Sequence, residues 1–143
     1  MQDIEIAKEL LLNEKLALVV VKDGDVLYKS TDRGIKPLFT AVREMKESLK
    51  GASIADKVIG KAAAMLSEYG GIHELYTSLI SQTAIEVLDK TDIIYNYEKA
   101  VPFIQNRDLT DLCPVENLSL KAENMDDLLM GIEKFLESIS RKS

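Results

Sequence analysis

A cysteine at the start of a predicted helix is the first candidate for chemistry. The motif CPVE at residues 113–116 places Cys113 at the N-cap, Pro114 at the first helical position and Glu116 at the third. The free N–H groups and positive dipole end of a helix favour a thiolate, whereas the carboxylates of Glu116 and Asp111 disfavour it. Cys113 is therefore a candidate nucleophile or redox centre. The alternative is a half-buried helix cap, because a free cysteine commonly packs as a small hydrophobe.

Two lysines and an aspartate form the second candidate, at Asp56, Lys57 and Lys61. A lysine supplies a fixed positive charge for an anionic or polar ligand, and Asp56 could orient that lysine. The alternative is that Lys61 extends into solvent and pairs with Asp56 or Glu68. A phosphate-binding P-loop is excluded, because no glycine lies five residues before Gly60 and an alanine follows Lys61.

The third candidate is the motif NRD at residues 106–108, in a stretch predicted to be a long loop. Loops carry binding residues more often than core elements do. The guanidinium of Arg107, next to Asn106, could bind a carboxylate or a phosphate through two parallel hydrogen bonds. Equally, Arg107 could hold the loop in place by pairing with Asp108 or Asp111.

The composition limits what these residues could do. The 143 residues include one cysteine, one histidine and no tryptophan, so an internal disulfide and a structural zinc site of four cysteine or histidine ligands are both excluded. The net charge of −6 argues against binding to nucleic acid or to an anionic membrane. No apolar run approaches the ~18 residues of a membrane span, and the acidic start does not resemble a signal peptide. We therefore expect a cytoplasmic protein.

Hydrophobic periodicity and turn residues predict the elements that must position these side chains. Asp23-Gly24, between two apolar runs, is typical of a two-residue hairpin turn. Asn124 is typical of an N-cap before the last helix, which we expect to bury Leu128, Leu129, Ile132, Phe135, Leu136 and Ile139. In chain order, the prediction is a helix at 3–13, strands at 16–21 and 26–28, a helix at 37–49, a strand at 53–59, a helix from 60 to Gly70, a strand at 72–80, a helix at 82–89, a strand at 92–97, a short helix from Pro114 and the last helix.

This order, α-β-β-α-β-α-β-α-β plus C-terminal helices, is a hairpin followed by crossover connections. Such a chain builds a mixed five-stranded sheet with helices on both faces, a three-layer α/β/α sandwich. No repeat and no linker rich in proline or glycine interrupts it, so residues 1–143 are predicted to form a single domain.

The element order resembles the cytidine-deaminase-like fold over roughly residues 1–98, most closely in the strand, helix and strand that contain ELYTSL (74–79) and DIIY (92–95). A closer resemblance, through most of the chain, is to a small prokaryotic domain-of-unknown-function family in that superfamily. It rests on ADKVIGKAA (55–63), NRD (106–108) and CPVE (113–116).

The resemblance implies a deaminase scaffold without the deaminase metal site. Zinc-dependent members carry a His-x-Glu or Cys-x-Glu motif near residue 61 and a Pro-Cys-x-x-Cys motif near residue 82. This chain has KAA at 61–63 and SQTAI at 81–85, so zinc-dependent deamination is excluded and no metal or other cofactor is expected. What the resemblance retains is a pocket, predicted to be lined by Asp56, Lys57, Lys61, Asn106, Arg107 and Cys113.

The function predicted from these residues is binding of a small polar or nucleotide-like ligand. One alternative is an enzyme that uses Cys113 as a nucleophile or redox centre, with Lys61 or Arg107 stabilising charge. A second alternative is a homo-oligomeric accessory module without a ligand. We expect a homo-oligomer in each case, and no partnership with nucleic acid or membrane.

Overall fold

A computed structural model describes residues 2–32, 34–104 and 114–142. Within these residues the chain forms five strands and seven helices. The helices are α1 (Asp3–Asn13), α2 (Lys36–Glu44), α3 (Lys46–Leu49), α4 (Lys61–Tyr69), α5 (Gln82–Leu88), α6 (Pro114–Lys121) and α7 (Met125–Lys142). The strands are β1 (Leu18–Lys22), β2 (Asp25–Ser30), β3 (Ser53–Ile59), β4 (Glu74–Ser81) and β5 (Ile94–Val101).

The strands form one mixed sheet in the order β2-β1-β3-β4-β5. β1 is antiparallel to both β2 and β3, whereas β3, β4 and β5 are parallel to one another. The α/β class and the mixed five-stranded sheet predicted from the sequence are therefore confirmed. Because β3, β4 and β5 run in parallel, their carboxyl ends meet at one edge of the sheet, where α4 and α5 begin.

The hairpin turn between β1 and β2 is the one that the sequence predicts. Asp23 and Gly24 both have positive φ, 52° and 83°, as a type I′ turn requires. The carboxylate of Asp3, at the start of α1, accepts hydrogen bonds from the backbone N–H groups of Asp23 and Gly24 at 2.9 and 2.8 Å. The first helix is thus tied to the hairpin.

The two faces of the sheet are covered unequally. On one face, α1 packs Ala7 and Leu11 against Val19, Val21 and Ala55. The other face carries the larger core, to which α2, α4, α5, α6 and α7 contribute buried side chains.

Three local predictions need correction. The predicted helix over 37–49 is two helices, because the backbone of Met45 leaves helical geometry (φ −129°, ψ 26°) and separates α2 from α3. The last strand begins and ends later than the predicted 92–97. Ile139, expected to be buried on the last helix, is 48% exposed.

Asn124 is confirmed as the N-cap, since its side-chain oxygen accepts the N–H of Asp127 at 2.8 Å.

Candidate functional site

A cavity of about 630 Å³ opens at the carboxyl end of β3, between the sheet and the C-terminal helices. We call it the Asp56 cavity. Its volume lies within the roughly 300–1,000 Å³ of ligand-binding pockets. Its walls are mainly apolar, and the residues that line it are Ala17, Gly34, Ile35, Lys36, Asp56, Lys57, Val58, Gly60, Ala62, Ala63, Ile104, Pro114, Val115, Glu116, Phe135, Leu136 and Ile139.

Asp56 lies two positions after Ile54, on the face of β3 that carries the larger core, and the regular strand pairing is interrupted directly after it. The pairs of β3 with β4 run as far as Asp56 and Thr77 and resume at Val58 and Leu79. At this interruption a carboxylate oxygen of Asp56 accepts the N–H of Val58 at 3.3 Å, and the hydroxyl oxygen of Thr77 accepts the N–H of Leu79 at 3.4 Å. Each side chain thus bonds the backbone of its own strand, Asp56 in β3 and Thr77 in β4, and the two residues lie side by side in the sheet.

The interruption changes which face the following residues reach. Ile54 and Ile59 both belong to the larger core although they are five positions apart, and an unbroken strand would direct them to opposite faces. β5 pairs with β4 across the same gap, because its pairs stop at Tyr97 and resume at Lys99. The pairing is therefore interrupted at the same level in three adjacent strands. On β3, Asp56 is the last residue paired before this gap.

The Asp56 carboxyl is buried, with only 8% of the residue exposed. Burial raises its pKa from 3.8 to about 7, because the charged form loses its hydration, while hydrogen bonds from the backbone N–H groups of Val58 and Lys57 lower the pKa by a smaller amount. A carboxyl of this kind exchanges a proton near neutral pH. It can accept a hydrogen bond from a ligand when ionised and donate one when protonated.

A second buried carboxyl, that of Glu116, lies in the wall of the same cavity and is only 2% exposed. One oxygen, Oε1, accepts the backbone N–H of Lys61 at 3.1 Å and the hydroxyl of Thr83 at 3.3 Å. The other, Oε2, accepts the backbone N–H of Ile104 at 2.6 Å. Glu116 thus joins α6 to the first turns of α4 and α5 and to Ile104, which closely follows β5.

The sequence at the start of α4 explains why Glu116 is needed. The N-cap of α4 is Gly60, which has no side-chain oxygen to accept a free N–H of the first turn. Glu116 supplies that oxygen from 55 residues further along the chain. Gly60 in turn permits the approach, because a Cβ at this position would lie 3.4 Å from both Glu116 oxygens and 3.1 Å from Cγ1 of Ile104.

The structure brings together some of the residues predicted from the sequence. Asp56 and Lys57 both line the cavity, the first buried and the second exposed. Lys61 takes part through its backbone N–H, and it is not among the described residues that line the cavity. Asn106, Arg107 and Cys113 lie outside the described residues, so their predicted roles stay predictions. Among the residues described, no group of three or more histidines, cysteines or acidic residues is placed to hold a metal ion.

Sequence reasoning did not find the role of Glu116, which it assigned only to a capping box with Cys113. A helix start at Gly60 without a capping side chain was the available indication that a distant acceptor must exist. Lys36 and the apolar wall residues of α7 were also missed. Nothing in their local sequence places them beside Asp56.

The fold and the cavity define the class of protein: an α/β protein with a mixed five-stranded sheet and two buried carboxyl groups, those of Asp56 and Glu116, at a largely apolar cavity. The family described as "TM1506: Domain of unknown function (DUF1893)" matches residues 6–136, and the chain belongs to this family. The predicted membership of a family of unknown function is confirmed. No helix within the described part of the chain is both long and apolar enough to cross a membrane.

The chain is similar to a solved structure of the same family. The crystal structure of a DUF1893 family protein (TM1506) from Thermotoga maritima superimposes with a TM-score of 0.79 at 26% sequence identity. The match covers 95% of this chain and 89% of that chain. No curated protein matches.

Proposed function

We propose that this protein binds a small polar, nucleotide-like ligand in the Asp56 cavity, with the Asp56 carboxyl as its main polar contact. The observation that carries the proposal is a buried carboxyl at a cavity whose other walls are mostly apolar. A carboxyl in such surroundings lowers stability when it ionises, and an apolar residue of similar size would avoid that cost. Groups of this kind concentrate at functional sites.

The cavity walls favour a flat, partly apolar ligand. Aliphatic side chains and Phe135 supply contact area without hydrogen bonds. Asp56 adds an acceptor in its ionised form, which suits ring N–H or amino groups of a heterocycle such as a nucleobase. A few placed polar groups within an apolar wall are typical of ligand pockets.

The finer parts of the prediction extend this proposal. We propose that residues 1–143 form a single domain with a cytidine-deaminase-like arrangement, supported by the order of its helices and strands. Catalysis by Cys113 stays a prediction, because the residue lies outside the described part of the chain. A homo-oligomer also stays a prediction. Ile94 and Tyr97, 49% and 43% exposed on the edge strand β5, are compatible with it.

Isothermal titration calorimetry tests the proposal. The wild type, Asp56→Asn and the matched control Asp25→Asn, at an exposed strand position, are titrated at pH 8 with adenosine, guanosine, cytidine and uridine. We expect at least one nucleoside to bind the wild type and the control with similar affinity. Asp56→Asn should weaken that binding by about tenfold or more, as for a hydrogen bond to a charged group (roughly 1.5–3 kcal/mol). Equal binding to all three proteins, or to none of them, would contradict the proposal.

A further inference from the structure

The charged residues that line the Asp56 cavity are separated by depth. The two acidic side chains, Asp56 and Glu116, are buried, with 8% and 2% of each residue exposed. The two basic residues, Lys36 and Lys57, are exposed. The cavity therefore has acidic groups inside and basic groups at its rim.

The buried end of the cavity is unsuitable for an anionic group. Both oxygens of Glu116 already accept hydrogen bonds from Lys61, Thr83 and Ile104. A phosphate placed beside Asp56 and Glu116 would meet two carboxyl groups in surroundings of low dielectric constant, where like charges repel strongly. Asp56 is left as the acceptor for a donor group of the ligand.

The rim is suited to an anionic group. In the part of the chain described, Lys36 and Lys57 have no ion-pair partner, in contrast to Lys29, whose ammonium lies 3.1 Å from the Glu14 carboxylate. The two lysines come from separate elements, Lys36 from the first turn of α2 and Lys57 from β3. Two exposed lysines without ion-pair partners among the described residues, both in the lining of one cavity, favour a phosphate, since lysine binds phosphate as a point charge on a flexible side chain.

We propose that the ligand is a nucleoside phosphate, bound with its base towards Asp56 and its phosphate at Lys36 and Lys57. This inference rests on the proposed function and adds the phosphate and the direction of binding. The sequence pattern groups Lys57 with Lys61 as the positive charges for a ligand. The present proposal groups Lys57 with Lys36 instead.

The test compares each nucleoside with its 5′-monophosphate by calorimetry, using the wild type, Lys36→Gln, Lys57→Gln and the double variant. Lys90→Gln, at an exposed position outside the cavity, is the matched control. We expect the monophosphate to bind more tightly than the nucleoside. Each cavity substitution should reduce monophosphate affinity by about two- to fivefold, as for exposed charge pairs, and leave nucleoside affinity unchanged. Inorganic phosphate, added as a competitor, should weaken monophosphate binding only.

The outcomes separate this inference from the proposed function. If a nucleoside binds through Asp56 and its monophosphate binds no more tightly, the phosphate site is wrong and the proposed function stands. Equal losses for nucleoside and monophosphate in the lysine variants also contradict the phosphate site. If neither compound binds, both the inference and the proposed function are wrong.

Discussion

Asp56 and Glu116 are two buried carboxyl groups in one cavity, and they differ in how they are held. From the described residues Glu116 accepts three hydrogen bonds, two from backbone N–H groups and one from a hydroxyl, and these join α6 to α4, α5 and Ile104. Among the described residues, Asp56 accepts hydrogen bonds only from the backbone of its own strand, from Val58 and Lys57. One carboxyl therefore connects distant elements, whereas the other bonds only local backbone.

This difference assigns separate roles to residues that share a chemical group. A buried carboxylate surrounded by donors stabilises the fold, because its removal leaves those donors without partners. A buried carboxyl with few donors lowers stability when it is charged and has acceptor capacity left for a ligand. Burial alone does not identify a functional carboxyl. The number of donors around it is the more informative property.

The largest expected effect is on stability, from Glu116→Gln. The amide keeps one acceptor oxygen and places an NH₂ group against a backbone N–H, so at least one buried donor loses its partner. We expect the free energy of unfolding to fall by about 2–4 kcal/mol. Urea denaturation at pH 7 measures it, with Glu123→Gln, at an exposed position near the end of α6, as the control. A loss no greater than that of the control would show that the three hydrogen bonds do not hold α6.

Asp56→Asn should raise the free energy of unfolding above neutral pH, whereas Glu116→Gln lowers it. Its raised pKa, about 7 against 3.8, means that the native protein keeps a proton that the unfolded chain has already lost between these values. Wild-type stability should therefore decrease as pH rises from about 4 to 7 and then level off. At about 1.4 kcal/mol per pKa unit, ionisation costs up to about 4 kcal/mol, of which we expect the amide to recover about 1–2 kcal/mol at pH 8.

Urea denaturation of wild type and Asp56→Asn at several pH values between 4 and 8 checks this prediction, with Asp25→Asn as the control. The two curves should converge near pH 4 and separate as pH rises. A variant that is less stable than the wild type at pH 8 would place Asp56 with Glu116 as a residue that supports the fold.

The smallest expected effect is that of Gly60→Ala, which tests how closely Glu116 must approach α4. The added Cβ would lie 3.1 Å from Cγ1 of Ile104, which is tighter than ordinary contact, and 3.4 Å from the Glu116 oxygens, at the lower limit of ordinary contact. Backbone strain is not involved, because φ at Gly60 is −95°. We expect a loss of about 1 kcal/mol by urea denaturation, from displacement of Ile104 and α6. In the Glu116→Gln background the loss should change, since neighbouring residues couple, and strictly additive losses would argue against a shared contact.

Much of the fold could be predicted from the sequence because its indications are local. Asp23-Gly24 specified the hairpin turn, Asn124 specified the start of α7, and the apolar run over 16–21 indicated a strand. The break at Met45 could not be predicted, because the helical spacing of apolar residues continues across it. The exposure of Ile139 could not be predicted either, because helical spacing does not show that this residue lines a cavity and not the core.

The site was predicted less completely. The sequence by itself determined that Asp56 and Lys57 lie within a strand and that a helix begins at about Gly60. The tertiary structure alone decided that Glu116 would supply the acceptor for that helix and that Lys36 would open onto the same cavity as Asp56. The physical reason is that turns and caps depend on residues a few positions apart. A buried carboxyl's surroundings depend on elements that lie far apart in the sequence and are brought together by packing.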